Sequence, residues 1–286
     1  MYTEFYKILR TEGIDMATDT AQRAGFDSVE MLEIREAALI PDEKSAVMAR
    51  EELEKRELSV SCYSFAIDIV TFDKYGKIVG GSNEAINKAI KAARIAKSLG
   101  SPYFHHTLVT NLRPDLHLLK PPYEEVFETI VHGASEIAQA CNTMGLTVLY
   151  EPQGFYVNGS KNFGRFYNEM KNRGFDVGVC GDMANTLFVD EPPIEFYKNF
   201  VSEFKHVHIK DYELLGSTAD PSKKYLWSLE ENAYSETRLG EGAVGFTECM
   251  KILKSSKYES AFSLEMNCDP EDTAKAINTV RENYII

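Results

Sequence analysis

The chain is short of basic residues. Against 44 Asp and Glu stand 31 Lys and Arg, a formal net charge of −13 over 286 residues. Such a surface repels phosphate backbones and anionic headgroups, so nucleic-acid partners and membrane surfaces are not expected. Cysteine is sparse as well. Cys62, Cys141, Cys180, Cys249 and Cys268 are widely spaced, odd in number and contain no C-x-x-C pair, the usage of reduced thiols in the cytosol. No run approaches the ~20 consecutive apolar residues of a membrane span, and the opening MYTEFYKILRTEG lacks the apolar stretch of a signal peptide. A cytoplasmic location is the expectation. No strand-like segment runs directly into a G-x-G-x-x-G turn, GEGAVG at 240–245 standing at the far end of a long connection, which weakens a doubly wound dinucleotide-binding fold.

What the chain does have is apolar content for a sizeable core, 44% hydrophobic with 16 Phe and 15 Tyr. It also has a strict rhythm. Helical periodicity marks residues 14–24, 41–56, 84–99, 123–144, 160–173, 192–204, 246–257 and 272–284, several of them stopped by glycine at 25, 100, 145 and 174. Between them lie strand-like segments at 26–33, 58–65, 101–109, 146–151, 175–182, 205–211 and 260–267. A further segment, TEFYKIL at 3–9, reads as a weak or irregular first strand. Alternation of this kind implies a parallel sheet with helices outside, and at this length it favours a (β/α)8 TIM barrel of one domain over residues 1–286. One connection is long. Residues 212–245 carry GSTADPSKK, the only Trp (Trp227) and LGEG, and are expected to form a lid over the site, with Trp227 and Arg238 as substrate contacts.

The chemistry gathers at the strand ends. KHVHIKD at 205–211 puts His206, His208 and Lys210 on one face, while LTVLYEP, FDVGVCGD and SAFSLEMN end in Glu151, Asp182 and Glu265. In a barrel these ends share one rim, so Glu151, Asp182, His208 and Glu265 form a candidate set of oxygen and nitrogen ligands for a hard or borderline divalent cation. Mn²⁺ suits it first, with Mg²⁺, Co²⁺ or Zn²⁺ as alternatives. A metal there would lower the pKa of a substrate hydroxyl and stabilise an enediolate, with Glu151 and Glu265 as the acid and base. Lys210 would hold a substrate oxygen or pair with a neighbouring acid. Of His105 and His106 only one can face inward; His106 is taken as the substrate contact.

LYEPQ, VCGDMANT, HVHIKD, the LGEG loop and FSLEM, in this order, resemble the xylose isomerase-like barrel superfamily, as do GFDSVEML and AKSLGSPYF upstream. The resemblance runs from about residue 17 onward. It implies a metal-dependent isomerase or epimerase of a small sugar, sugar phosphate or polyol, forming a homodimer or homotetramer. An inosose-type dehydratase on the same metal site is the alternative, ahead of an endonuclease IV-like repair enzyme or a non-catalytic polyol-binding barrel. It also implies that Glu151, Asp182, His208 and Glu265 bind the metal. The chain departs from the ketose 3-epimerases of that group at Asn185, where they place a histidine, and in DYELLG, where they carry an arginine. Asn185 would then meet the substrate by hydrogen bonding. Residues 212–245 contain no histidine, which removes the D-x-H zinc pair of endonuclease IV.

Overall fold

The computed structural model describes residues 3–34, 39–81, 83–110, 113, 123–215, 225–266 and 270–284. Its elements run α1 (Thr3–Glu12), α2 (Ile14–Arg23), β1 (Ser28–Ile34), α3 (Glu43–Glu54), β2 (Ser59–Ala66), β3 (Val70–Phe72), β4 (Ile78–Gly81), α4 (Asn83–Leu99) and β5 (Tyr103–His106). They continue with α5 (Tyr123–Thr143), β6 (Thr147–Tyr150), α6 (Gly159–Asn172), β7 (Val177–Asp182), α7 (Pro193–Phe200) and β8 (Phe204–Ile209). The last part holds β9 (Asp211–Leu214), β10 (Leu226–Trp227), β11 (Ala233–Thr237), α8 (Phe246–Ser255), β12 (Phe262–Leu264) and α9 (Pro270–Tyr284).

Seven strands pair in the order β1-β2-β5-β6-β7-β8-β12, all in parallel. This is the TIM barrel expected from the alternation, with its strand ends pointing to one rim. The expected first strand is absent. Residues 3–9 lie in α1, because Phe5, Ile8 and Leu9 recur at helical spacing and pack on the core. A strand there would have put Lys7 on the same face as Phe5 and Leu9. Among the described residues no backbone pairing joins β12 to β1, so the barrel has a seam where an eighth strand would close it.

Burial explains why the barrel strands form. Every residue of β7 is buried, as a strand covered by side chains inside and helices outside must be. The helices cover the outside with apolar stripes, such as Val126, Phe127, Ile130, Ala134, Ile137 and Cys141 of α5. Phe163, Phe166, Phe196 and Phe204 are buried around α6 and α7, each contributing about 2 kcal/mol by removal from water. Close packing also sets the register. A Cβ at Gly181 would overlap the ring of Phe204, so glycine lets β8 lie tight against β7, and Asp182 comes level with His208. Helix α3 begins two residues later than the proline suggests: Asp42 caps it by accepting from Ser45 N at 2.7 Å, and Pro41 stands outside the first turn.

Two small sheets decorate the rim. β3 and β4 form an antiparallel hairpin that the periodicity did not suggest. After β8, the strands β10, β11 and β9 make a three-stranded antiparallel sheet, so the connection expected as a loop is partly a sheet. Residues 216–224, the GSTADPSKK stretch, and Cys268 fall outside the described residues. No helix among the described residues is long and apolar enough to cross a membrane.

Candidate metal centre

Glu151 follows β6, Asp182 ends β7, His208 lies in β8 and Glu265 follows β12. These four side chains, from strands that are neighbours in the sheet, meet: one ligand atom from each lies within 4.8 Å of the others. His208 Nδ1 is 2.9 Å from Glu151 Oε1, 3.2 Å from Glu265 Oε2 and 3.9 Å from Asp182 Oδ2. Glu151, Asp182 and His208 are buried, while the Glu265 side chain is 25% exposed toward the mouth. Lys210 reaches into the same cluster. Its Nζ donates to Glu265 Oε2 at 2.9 Å and sits 2.8 Å from Asp182 Oδ2 as an ion pair.

The electrostatics show a surplus of negative charge. Burial pushes the Glu151 carboxyl up to about 8, with His208 opposing and the charges of Asp182 and Glu265 adding to it. Burial also acts to raise Glu265, but Lys210 and His208 hold it down to about 2. Burial works against the imidazolium of His208; the carboxylates of Glu30, Glu151 and Glu265 nevertheless carry it well above its ordinary value. Asp182 Oδ1 accepts from the backbone N–H of Ala184 and Asn185 at 2.8 and 2.6 Å, whereas Oδ2 has no well-directed hydrogen bond. Three carboxylates and an imidazole, balanced here only by Lys210, fit a divalent cation by donor type.

One functional side chain was not singled out by strand-end reasoning. Glu30, in the middle of β1, is fully buried beneath the centre and touches His208 Nε2 at 3.0 and 3.1 Å and His206 Nε2 at 2.7 Å. Burial acts to raise its pKa, yet His208 and His206 hold it well below the usual carboxylate range. The signal was present in SVEMLEI, where Glu30 stands between the apolar Val29 and Met31.

The remaining sequence candidates separate. Asn185 and Trp227 line a cavity of about 700 Å³ together with Thr107, Gln153, Tyr212 and Arg113. Asn185 Nδ2 is buried there with no hydrogen-bond partner among the described residues. His105, and not His106, faces the interior: its ring is edge-on to His208 at 5.9 Å, and its Nδ1 lies 3.0 Å from Ser64 Oγ. His106 is corrected as a substrate contact. Strand alternation turns it to the outer face, between Phe104 and Tyr150. Arg238 pairs with Asp272 at 3.4 Å, is 64% exposed and lines a separate cleft. Cys180 Sγ sits close below Glu151 and His208, where burial pushes the thiol far up and keeps it protonated.

Comparison with known proteins bears on the same features. A curated relative, inosose dehydratase 1 of Bacillus cereus, is 26% identical over 155 residues, 53% of this chain and 51% of its own length. An inosose dehydratase of another Bacillus cereus strain is 23% identical over 236 residues, 79% of this chain and 75% of its own. The match thus spans about half of the first relative and three quarters of the second. Among solved structures, that of the IOLI protein with a bound zinc atom superimposes with a TM-score of 0.68 at 18% identity, over 99% of this chain and 95% of that one. At that identity the likeness speaks for the fold. A sequence profile described as "Xylose isomerase-like TIM barrel" matches residues 18–283, and the chain belongs to that family.

Proposed function

We propose that the chain is a divalent-metal-dependent dehydratase of a small keto-polyol, a single barrel domain over residues 1–286 with residues 212–245 as a lid. The observation that carries the reading is the composition of the cavity of about 700 Å³, walled by residues that closely follow the proposed ligands: Gln153, Asn185 and Tyr212. Amides, hydroxyls and the rings of Trp227 and Phe155 suit a polyhydroxylated ring, and Arg113 is the one cation among the described residues lining it. The choice of dehydratase over the isomerase or epimerase first expected rests on the names of the curated relatives.

Dehydration next to a carbonyl breaks a C–H bond and the neighbouring C–OH bond, forms a C=C bond and releases water. Glu265, the most open of the three acids, takes the carbon-bound proton; Lys210, hydrogen-bonded to it, keeps it ionised. The hydroxyl leaves as water with a proton passed on from the Glu151 and Glu265 pair. When bound by Glu151, Asp182, His208 and Glu265, a divalent cation supplies Lewis-acid polarisation of the carbonyl. Asn185 donates from Nδ2 to a substrate oxygen, and the lid excludes water.

The test is to strip the protein of metal, reload it with Mn²⁺, Mg²⁺, Co²⁺ or Zn²⁺ in turn, and add keto-inositols. An absorbing, enone-like product is expected, and Glu265→Gln should lower kcat at least ~100-fold. Deuterium uptake from solvent without new absorbance would point to epimerisation. Neither signal on any keto-polyol, with metal bound, rejects both readings.

A further inference from the structure

Three donors converge on the carboxylate of Glu30: Ser64 Oγ, His206 Nε2 at 2.7 Å, and His208 Nε2 at 3.0 and 3.1 Å. An ionised carboxylate can only accept. His206 and His208 must therefore each carry a hydrogen on Nε2. The single hydrogen of Ser64 also points to Glu30, so Ser64 Oγ must accept from His105 Nδ1, 3.0 Å away. That leaves His105 Nε2 bare, facing Glu151 Oε2 at 3.5 Å. One buried carboxylate thereby fixes the hydrogens of three imidazoles, and the consequences run in a ring through Ser64, His105 and Glu151 back to His208.

We infer that Glu30 is a positioning residue: it presents the Nδ1 lone pair of His208 to the metal and, through Ser64, the Nε2 lone pair of His105 to Glu151. The inference rests on the metal centre described above. A carboxylate behind a ligating imidazole raises its basicity and holds its ring in plane with the ion, and removal of such a partner lowers metal affinity about 10–100-fold. A glutamine cannot substitute. Its amide would turn two hydrogens toward donors, and at least one imidazole would have to exchange its proton between nitrogens or lose its contact.

Histidine ring ¹⁵N spectra of the labelled protein, metal-free and loaded with Zn²⁺, test this together with zinc affinity by chelator competition. Expected for the zinc-loaded wild type are His208 bound through Nδ1 with Nε2 protonated, and His105 protonated on Nδ1. In Glu30→Gln the zinc affinity should fall 10–100-fold and the His105 and His206 patterns should change. Ser64→Ala should alter His105 alone and leave zinc affinity within about threefold. Zinc bound through Nε2 of His208 in the wild type would overturn the inference even if Glu30→Gln fails to fold, as would a folded Glu30→Gln with unaltered spectra and affinity. If folded wild type takes up no zinc or other divalent ion, the metal reading fails. The metal-free spectrum still decides on Glu30: hydrogens on His206 Nε2 and His105 Nδ1 uphold it, and the opposite tautomers reject it.

Discussion

Binding of a divalent ion to this centre should release close to two protons at pH 7. Burial holds the metal-free Glu151 carboxyl at about 8, so it is roughly nine-tenths protonated at pH 7. His208 is held well above its ordinary value, with Nδ1 directed at Glu151 Oε1 at 2.9 Å. The two protons have places to go: Nδ1–H of His208 toward Glu151 Oε1, and the hydroxyl of Glu151 toward the bare His105 Nε2. Both ligand atoms must be stripped to hold a cation. Affinity should therefore rise about 100-fold per pH unit near pH 7, and less steeply above pH 8, where Glu151 is already ionised. Calorimetric titration with Mn²⁺ or Zn²⁺ at pH 7, in buffers of different ionisation enthalpy, counts the protons directly. Glu151→Gln should remove about one of them. A count near zero at pH 7, or an affinity that is flat between pH 6 and pH 8, would refute the reasoning.

The same groups set the stability of the metal-free protein, and their signs differ. Glu151 and His208 have folded values above their unfolded ones. Each contributes stability that is fully present below the unfolded value and is lost as pH rises through the folded one. Glu265 is held down to about 2, so its contribution is present above pH ~4.5 and is lost as pH falls toward 2. Between pH 6 and pH 9 the metal-free Tm should fall, and the gain in Tm on adding metal should grow. A metal-free Tm that rises over this range would contradict the assignment of the two protons.

Two further outcomes follow from named contacts. Asp211 is fully buried and accepts from the backbone N–H groups of Tyr212, Gly240, Gly242 and Val244, which pins residues 240–244 to the exit of β8. Asp211→Ala should cost about 2–4 kcal/mol in urea unfolding and open residues 238–244 to protease; wild-type stability and cleavage would show that the pin carries no strain-free energy worth the name. Asn185→Ala should raise KM for the keto-polyol about tenfold through loss of the Nδ2 donor. Metal affinity should stay within about twofold, because the backbone N–H that serves Asp182 Oδ1 is kept; a large loss of metal affinity would instead make Asn185 part of the ligand scaffold.

The cluster of Glu151, Asp182, His208 and Glu265 was legible because each lies at or beside the end of a strand, and parallel strand ends share a rim whatever the loops do. The same logic hid Glu30, which acts from the middle of β1 and reaches His208 only through the barrel interior. Pairwise alternation told that one of His105 and His106 faces inward, but not which. The answer depends on where the β5 pleat falls against β2, and there Ser64 pairs with His105. Arg238 was placed by the overhang of its segment alone, and an acidic partner on α9, Asp272, holds it elsewhere. Residues 3–9 were ambiguous in period, and burial of Phe5 settled them as helix.

The seam between β12 and β1 gives the buried network a second consequence. A closed barrel ties every strand to two neighbours by backbone hydrogen bonds, but here β1 is bonded only to β2, and β12 only to β8, among the described residues. The strand that carries Glu30 is thus an edge, and edges are free to shift. Glu30 links this edge through the interior to His206 and His208 on β8, the neighbour of the other edge. Side-chain bonds to a buried carboxylate are stronger than backbone ones, about 1.5–3 kcal/mol each, and fully desolvated here. They hold the two rims of the seam at the depth where the metal ligands stand, because His208 answers to Glu30 on one nitrogen and to the ligand cluster on the other. A site built next to a missing strand can stay rigid on that condition, and ligand geometry and barrel closure then depend on the same carboxylate.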